Sequence, residues 1–314
     1  MNPVNQDSID YIEESRKILA KKGKTFFWAK FLLQKEHAED ATRLYRFCRY
    51  IDDIGDESID KDQARQDLLQ IISEIKLGLS NDPVIKDALK LFNKRNIDIR
   101  IPIELINGVI SDLKSVRLET EGQLLIYCYQ VAGTVGLMMS KVLDVKDDRA
   151  YAHAIDLGIA MQLTNICRDV TEDASMDRRY IPGSMCENFE PALLINPAIS
   201  TKTLISKDLN YLLSVADEYY KSGHDGLCFL PFRARMGMAI AGFLYRNIGV
   251  KLKNENYSFW NGRVFVSKAS KFKLTLQILS RSISDIGFYN YKVQHQAVLH
   301  QSLKNLPYVH ESTL

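Results

Sequence analysis

Apolar residues recur along most of the chain at helical spacing. In "DLLQIISEIKLGL", Leu68, Ile72, Ile75 and Leu79 fall at i, i+4, i+7 and i+11, one face of a helix. "IPIELINGVISDLKSV" brings Pro102 to the start of another, where a missing N–H costs little. Two longer stretches, "EGQLLIYCYQVAGTVGLMMSKVL" and "YAHAIDLGIAMQLTNICRDVTED", are apolar nearly all round and predict central helices. "DLNYLLSVADEYYKSG" predicts a helix capped at Gly223. A further helix is expected after Pro231, with "MGMAIAGFLY" as buried core. No alternating strand hairpins appear, so the expected fold class is all-α. The least regular stretch, Tyr180 to Ser200, carries Pro182, Pro191 and Pro197 and is either a domain linker or a flap over a site.

Length, at 314 residues, suggests about two domains. With 41 basic and 39 acidic residues the net charge is +2, so no bulk field points to nucleic acid. Five cysteines, none in a C-x-x-C pair, fit a reduced protein with small apolar thiols in its core. The N-terminus lacks an apolar signal region, and no apolar run reaches the 18 or so residues of a membrane span. A cytoplasmic location is expected. There is no G-x-G-x-x-G or P-loop, and the six histidines show no recognisable ligand spacing.

The informative charges are local. In "YRFCRYIDDIGDE", Tyr45, Arg49, Asp52 and Asp56 form one helical stripe, with Asp53 turned about 100° away. In "MQLTNICRDVTEDASMDRRYIP", Gln162, Asn165, Asp169 and Asp173 form a second stripe, with Glu172 turned away. Two like charges ~6 Å apart repel by roughly 3 kcal/mol at an effective dielectric near 20. An exposed helix bears only a few tenths. One such pair is ordinary surface. Two pairs, each in an apolar helix with an aligned amide or guanidinium, point to a shared cation. Mg²⁺ takes oxygen ligands and is commonly shared between carboxylates and substrate phosphates. Zn²⁺ calls for His or Cys in spacings the sequence does not display.

These segments, with "YCYQVAGTVG" between them, "GKTFFWA" near residue 25, and the later "GFLYRNIG" and "NYSFWNGRVFV", resemble the squalene/phytoene synthase family. The resemblance runs from about residue 20 to about residue 280. It implies a single all-α isoprenoid-synthase domain with a central cavity, at residues 20–290, preceded by an N-terminal segment (1–19) and followed by a polar tail (291–314). It also implies head-to-head condensation of two prenyl diphosphates through a cyclopropyl diphosphate. Asp52, Asp56, Asp169 and Asp173 would hold Mg²⁺ (or Mn²⁺), with Asn165 as an added ligand. Tyr45, Arg49 and Gln162 would contact diphosphate or intermediate. Arg49 has the alternative of neutralising Asp52 or Asp53 on its own helix. Tyr127 and Tyr245 are either the family's inward tyrosines or core aromatics. Arg178 and Tyr180 match its post-motif diphosphate contacts, unless Arg178 is a surface charge.

One departure stands in "KGKTF": Lys22 occupies the family's histidine position and Thr25 that of its second serine. Lysine pairs with phosphate as a point charge but is a poor proton shuttle. Among members, the texture is most like bacterial phytoene synthases, which implies geranylgeranyl diphosphate as substrate, carotenoid biosynthesis as setting and no NADPH. The alternatives are a farnesyl diphosphate-using squalene or dehydrosqualene synthase and a non-catalytic relative with an assembly role. Lipid substrates imply peripheral contact with the inner membrane face and contact with downstream carotenoid enzymes.

Overall fold

The computed structural model describes residues 32–265, 274–276, 278, 280, 288–291 and 293–309. Helix α1 (Lys35–Glu57) buries Leu44, Phe47 and Ile51 and ends in the acidic run. Asp60 opens α2 (Lys61–Leu77) by accepting the amides of Asp62 and Gln63. Gly78 closes it at φ 70°, where glycine carries no Cβ penalty. That cap ends the apolar face early: Leu68, Ile72 and Ile75 are buried, but Leu79 is 76% exposed, against the periodicity. Asp82 caps α3 (Pro83–Arg95), and Pro102 lies in the first turn of α4 (Arg100–Ser111).

A capping box of Thr120 and Gln123 starts α5 (Glu121–Cys128). The run continues through one π-helical turn, Tyr129–Gly133, into α6 (Thr134–Val142). Next comes α7 (Arg149–Arg168), buried on most of its circumference. The predicted continuous helix breaks at Asp169 (φ −105°, ψ 15°), and α8 (Val170–Ser175) follows. After the short α9 (Ala192–Ile195), α10 (Ile199–Asp225) runs straight through Gly223. The expected cap there is wrong for a packing reason: a Cβ on Gly223 would lie 2.8 Å from the Leu157 side chain, so this glycine serves helix contact. Phe232–Asn254 forms α11.

The class is all-α, with α7 at the centre against α10, α6, the π-turn and α11. Backbones of the π-turn and α6 approach α7 closely. A Cβ on Gly136 would meet the Ala154 carbonyl at 2.1 Å, and one on Gly158 would meet the Ala132 carbonyl at 2.3 Å. Only glycine permits that spacing.

One small ladder escaped the periodicity. β1 (Val116–Arg117) pairs in parallel with β2 (Arg178–Arg179), Val116 opposite Arg178. The Pro-rich stretch beyond it is pinned to the body. Gly183 and Ser184 donate amides to the carbonyls of Leu118 and Glu119, and the buried Arg179 guanidinium donates to the Leu118 and Ile181 carbonyls. The C-terminal segment is docked too. His300 and Leu303 are buried, and Tyr129 and Tyr219 donate hydroxyls to the carbonyls of Pro307 and Leu299. All five cysteines are free thiols, and among the described residues no helix is long and apolar enough to cross a membrane.

Candidate active site

The fold brings both acidic stripes to one cleft of about 250 Å³. α1 supplies Asp52 and Asp56, and α7 supplies Gln162 and Asn165. The α7–α8 junction supplies Asp169 and α8 supplies Asp173. β2 and the residue after it add Arg178 and Tyr180, and α5 adds Tyr127. The cleft runs directly into an apolar cavity of about 290 Å³, with Asp52, Val131, Gln162 and Asn165 at the boundary. Tyr45 and Tyr245 stand in the cavity wall with Met139, Met161 and Met238. Lys22 and Thr25 lie outside the described residues.

The aspartates are not equivalent. Asp56 is contacted by the Arg178 guanidinium at 3.2 Å. Asp169 is held by Arg168 at 2.5 Å and by Arg263 at 3.1 Å. The carboxylates of Asp52 and Asp173 make no hydrogen bond or ion pair among the described residues. Burial, then the neighbouring charges of Asp56, Asp53 and Asp112, pushes Asp52 up to about 7 against the pull of Arg49. Burial and Asp169 push Asp173 up to about 8. In both, burial and neighbouring like charges outweigh the pull of the nearest guanidinium, Arg49 for Asp52 and Arg178 for Asp173.

Arg49 takes the alternative foreseen for it. Its guanidinium pairs with Asp53 and, at 3.8 Å, with Glu57, and it does not line the cleft. Asp53 is thereby turned aside. Arg178 is buried, which excludes the surface reading. Burial works against its charge, but Tyr180, Asp112 and Asp56 keep it protonated.

Asp112, at the end of α4, is a fifth carboxylate that the sequence did not single out. It accepts the Tyr127 hydroxyl at 2.7 Å and the Tyr180 hydroxyl at 2.9 Å, and the two rings stack at 4.7 Å. Burial pushes it up to about 6, opposed by those hydroxyls and by Arg178. A lone Asp in "ISDLK" has no partner at helical spacing, so no periodic signal marks it. Arg263, in "WNGRVFV", was likewise unmarked.

The donor set fits a divalent cation. All candidate ligands are oxygens, and one is orphaned: Asn165 Oδ1 is buried without a hydrogen-bond partner, while its Nδ2 donates to Gln162 at 3.3 Å. A buried acceptor left unmade is costly, and a hard cation satisfies it.

Residues 19–270 match the squalene/phytoene synthase family. The chain belongs to that family. It is an enzyme of the prenyltransferase type. It is 30% identical over 277 residues to a phytoene synthase of Pseudescherichia vulneris, covering 84% of this chain and 90% of that one. It is 32% identical over 277 residues to a 15-cis-phytoene synthase of a Paracoccus species, with the same coverage. Among solved structures, a ligand-bound dehydrosqualene synthase superposes with a TM-score of 0.77 at 27% identity, covering 89% of this chain and 99% of that one. As a squalene/phytoene synthase family member, the protein carries both acidic stripes within the matched region.

Proposed function

We propose that the protein condenses two molecules of geranylgeranyl diphosphate head to head, through a cyclopropyl diphosphate, to phytoene. The observation that carries this reading is the continuity of the acidic cleft with the apolar cavity. A polar, pyrophosphate-bearing head and a long hydrocarbon tail need such a pair of environments, end to end. Two of the curated relatives of about 30% identity are named phytoene synthases, which supports the product assignment.

Asp52, Asp56, Asn165, Asp169 and Asp173 would hold Mg²⁺, which supplies charge neutralisation to a departing diphosphate. Arg178, at the cleft wall against Asp56, would take diphosphate oxygens in exchange for that carboxylate. Asp112 fixes Tyr127 and Tyr180 beside it. The C1–O bond of one substrate breaks and the double bond of the other captures the allyl cation, which gives the cyclopropane after proton loss. The second ionisation leads to rearrangement and a final proton loss, so no hydride donor enters. The apolar walls exclude water from both cations, and the faces of Tyr45 and Tyr245 offer them negative charge density. Gln162 stands where head and tail meet. Arg49 contributes to diphosphate binding only if it leaves Asp53.

Substrate and product are lipids, so exchange at the cytoplasmic face of a membrane and transfer to later carotenoid enzymes belong to the same proposal. The likeness to a dehydrosqualene synthase supports a second reading, with farnesyl diphosphate as substrate. The decisive experiment offers each prenyl diphosphate with Mg²⁺ and no NADPH, followed by hexane extraction and chromatography. The C40 hydrocarbon with a central triene is expected from geranylgeranyl diphosphate. A strict NADPH requirement, or a clear preference for farnesyl diphosphate, overturns the assignment to phytoene.

A further inference from the structure

A second cluster of ligand-bearing side chains lies behind the apolar cavity, away from the acidic cleft. Asp156, in the middle of α7, is fully buried, and its two carboxylate oxygens face two imidazoles. His295 Nε2 is 2.9 Å from Oδ2 and His300 Nε2 is 2.8 Å from Oδ1. The three ligand atoms all lie within 4.8 Å of one another. Both histidines come from the C-terminal segment, some 140 residues along the chain, as their separations of 139 and 144 from Asp156 record.

We propose that Asp156, His295 and His300 bind a divalent transition metal of the zinc class, and that the metal clamps the C-terminal segment onto α7. The donor set decides the class: two imidazoles and one carboxylate suit Zn²⁺, whereas the cleft, all oxygen, suits Mg²⁺. Bonds of about 2.0–2.1 Å set tetrahedral ligands roughly 3.3 Å apart. The two nitrogen–oxygen separations of 2.8 and 2.9 Å need a small opening, and all three ligand atoms already lie within 4.8 Å of one another.

The surroundings are those of a supported site. Ser222 of α10 donates its hydroxyl to Asp156 Oδ2 at 2.5 Å and so fixes the carboxylate. His153, one turn before Asp156, donates Nδ1–H to the Ser222 carbonyl at 2.8 Å, which leaves Nε2 as the lone-pair nitrogen. That nitrogen lies 3.4 Å from the Tyr291 hydroxyl, so the fourth position of the proposed ion would fall to a water. His300 is sealed at 1% exposure, whereas His295 is 13% exposed and gives the ion its way in. His153 also forms part of the cavity wall, which places the clamp directly behind the cavity.

The test uses untagged full-length protein, stripped with a chelator, incubated with Zn²⁺ and desalted. Metal is counted by mass spectrometry, and Co²⁺ is used in parallel as a visible-band probe of ligand geometry. One Zn²⁺ per chain, a higher melting temperature and tetrahedral Co²⁺ bands are expected. The pair His295→Gln with His300→Gln should lose all three, while Asp173→Asn should keep them. Should the pair fail to fold, His295→Gln alone, at the more exposed position, must still weaken Zn²⁺ binding about tenfold or more. Absence of retained metal, equal retention in the histidine variants, or loss of metal in Asp173→Asn instead would each overturn the proposal.

Discussion

Two groups of carboxylates withdrawn from solvent are treated in opposite ways. In the cleft, Asp52 and Asp173 sit near like charges, and burial outweighs the pull of Arg49 and Arg178, so their carboxyls rise to about 7 and about 8. Behind the cavity, Asp156 is more deeply buried, yet it falls to about 2 because the His295 and His300 hydrogen bonds outweigh the burial. Burial is common to both. What differs is whether hydrogen-bonding partners for the carboxylate are built into the chain. An uncompensated buried charge is expensive unless a partner arrives, so the cleft is organised for ligands and the Asp156 cluster for holding two segments together.

The sharpest way to break this contrast is to neutralise each cleft carboxylate in turn. Asp52→Asn, Asp56→Asn, Asp169→Asn and Asp173→Asn should each lower turnover by roughly 100-fold or more, the scale on which electrostatic stabilisation of a leaving group acts. Circular dichroism should be unchanged. Normal turnover in any of them would remove that residue from the machinery.

The converse holds behind the cavity. His300→Ala should cost about 3 kcal/mol of stability, because it strands half of a buried carboxylate. Urea denaturation measures it, and a loss under about 1 kcal/mol would mean that Ser222 and His295 suffice.

The two regions should also titrate in opposite senses. A carboxyl raised in the folded state binds more protons there than in the unfolded chain. The contribution of Asp52 and Asp173 is therefore present below the ordinary carboxyl range and fades as pH climbs towards 7 and 8. Asp156 is depressed, so its contribution is present above the ordinary range, near 4, and is lost as pH falls towards 2. Metal-free protein should melt several degrees lower at pH 8.5 than at pH 5.5, and Mg²⁺ with inorganic diphosphate should narrow the gap. A melting temperature that rises across that interval contradicts the cleft assignment.

The smallest effect should come from Asp53→Asn. Asp53 faces Arg49 rather than the cleft, so turnover should stay within about fivefold of wild type. Sensitivity equal to that of Asp52 would show that Arg49 must be held in place, or swings inward when substrate binds.

Local pattern carried much of this arrangement. Helical spacing predicted the all-α class and set Asp52, Asp56, Asp169 and Asp173 on two faces that do meet. It failed where the signal is not periodic. Gly223 reads as a cap by residue type, but its neighbour is Leu157 across a helix interface, which no window of sequence contains. Asp112 has no helical partner, and its meaning comes from Tyr127 and Tyr180, 15 and 68 residues away. The histidines show no ligand spacing along the chain because their common partner, Asp156, lies on another element.

The close approach at Gly136 and Gly158 has a consequence for how such an enzyme changes its substrate. Both glycines, with Ala132 and Ala154, form one wall of the cavity. That wall already has the smallest side chains available and backbones in contact behind them. Mutation there can only make the bore narrower. Selection for a longer or bulkier hydrocarbon is therefore channelled to the methionines of the same cavity, Met139, Met161 and Met238, which still have volume to give up.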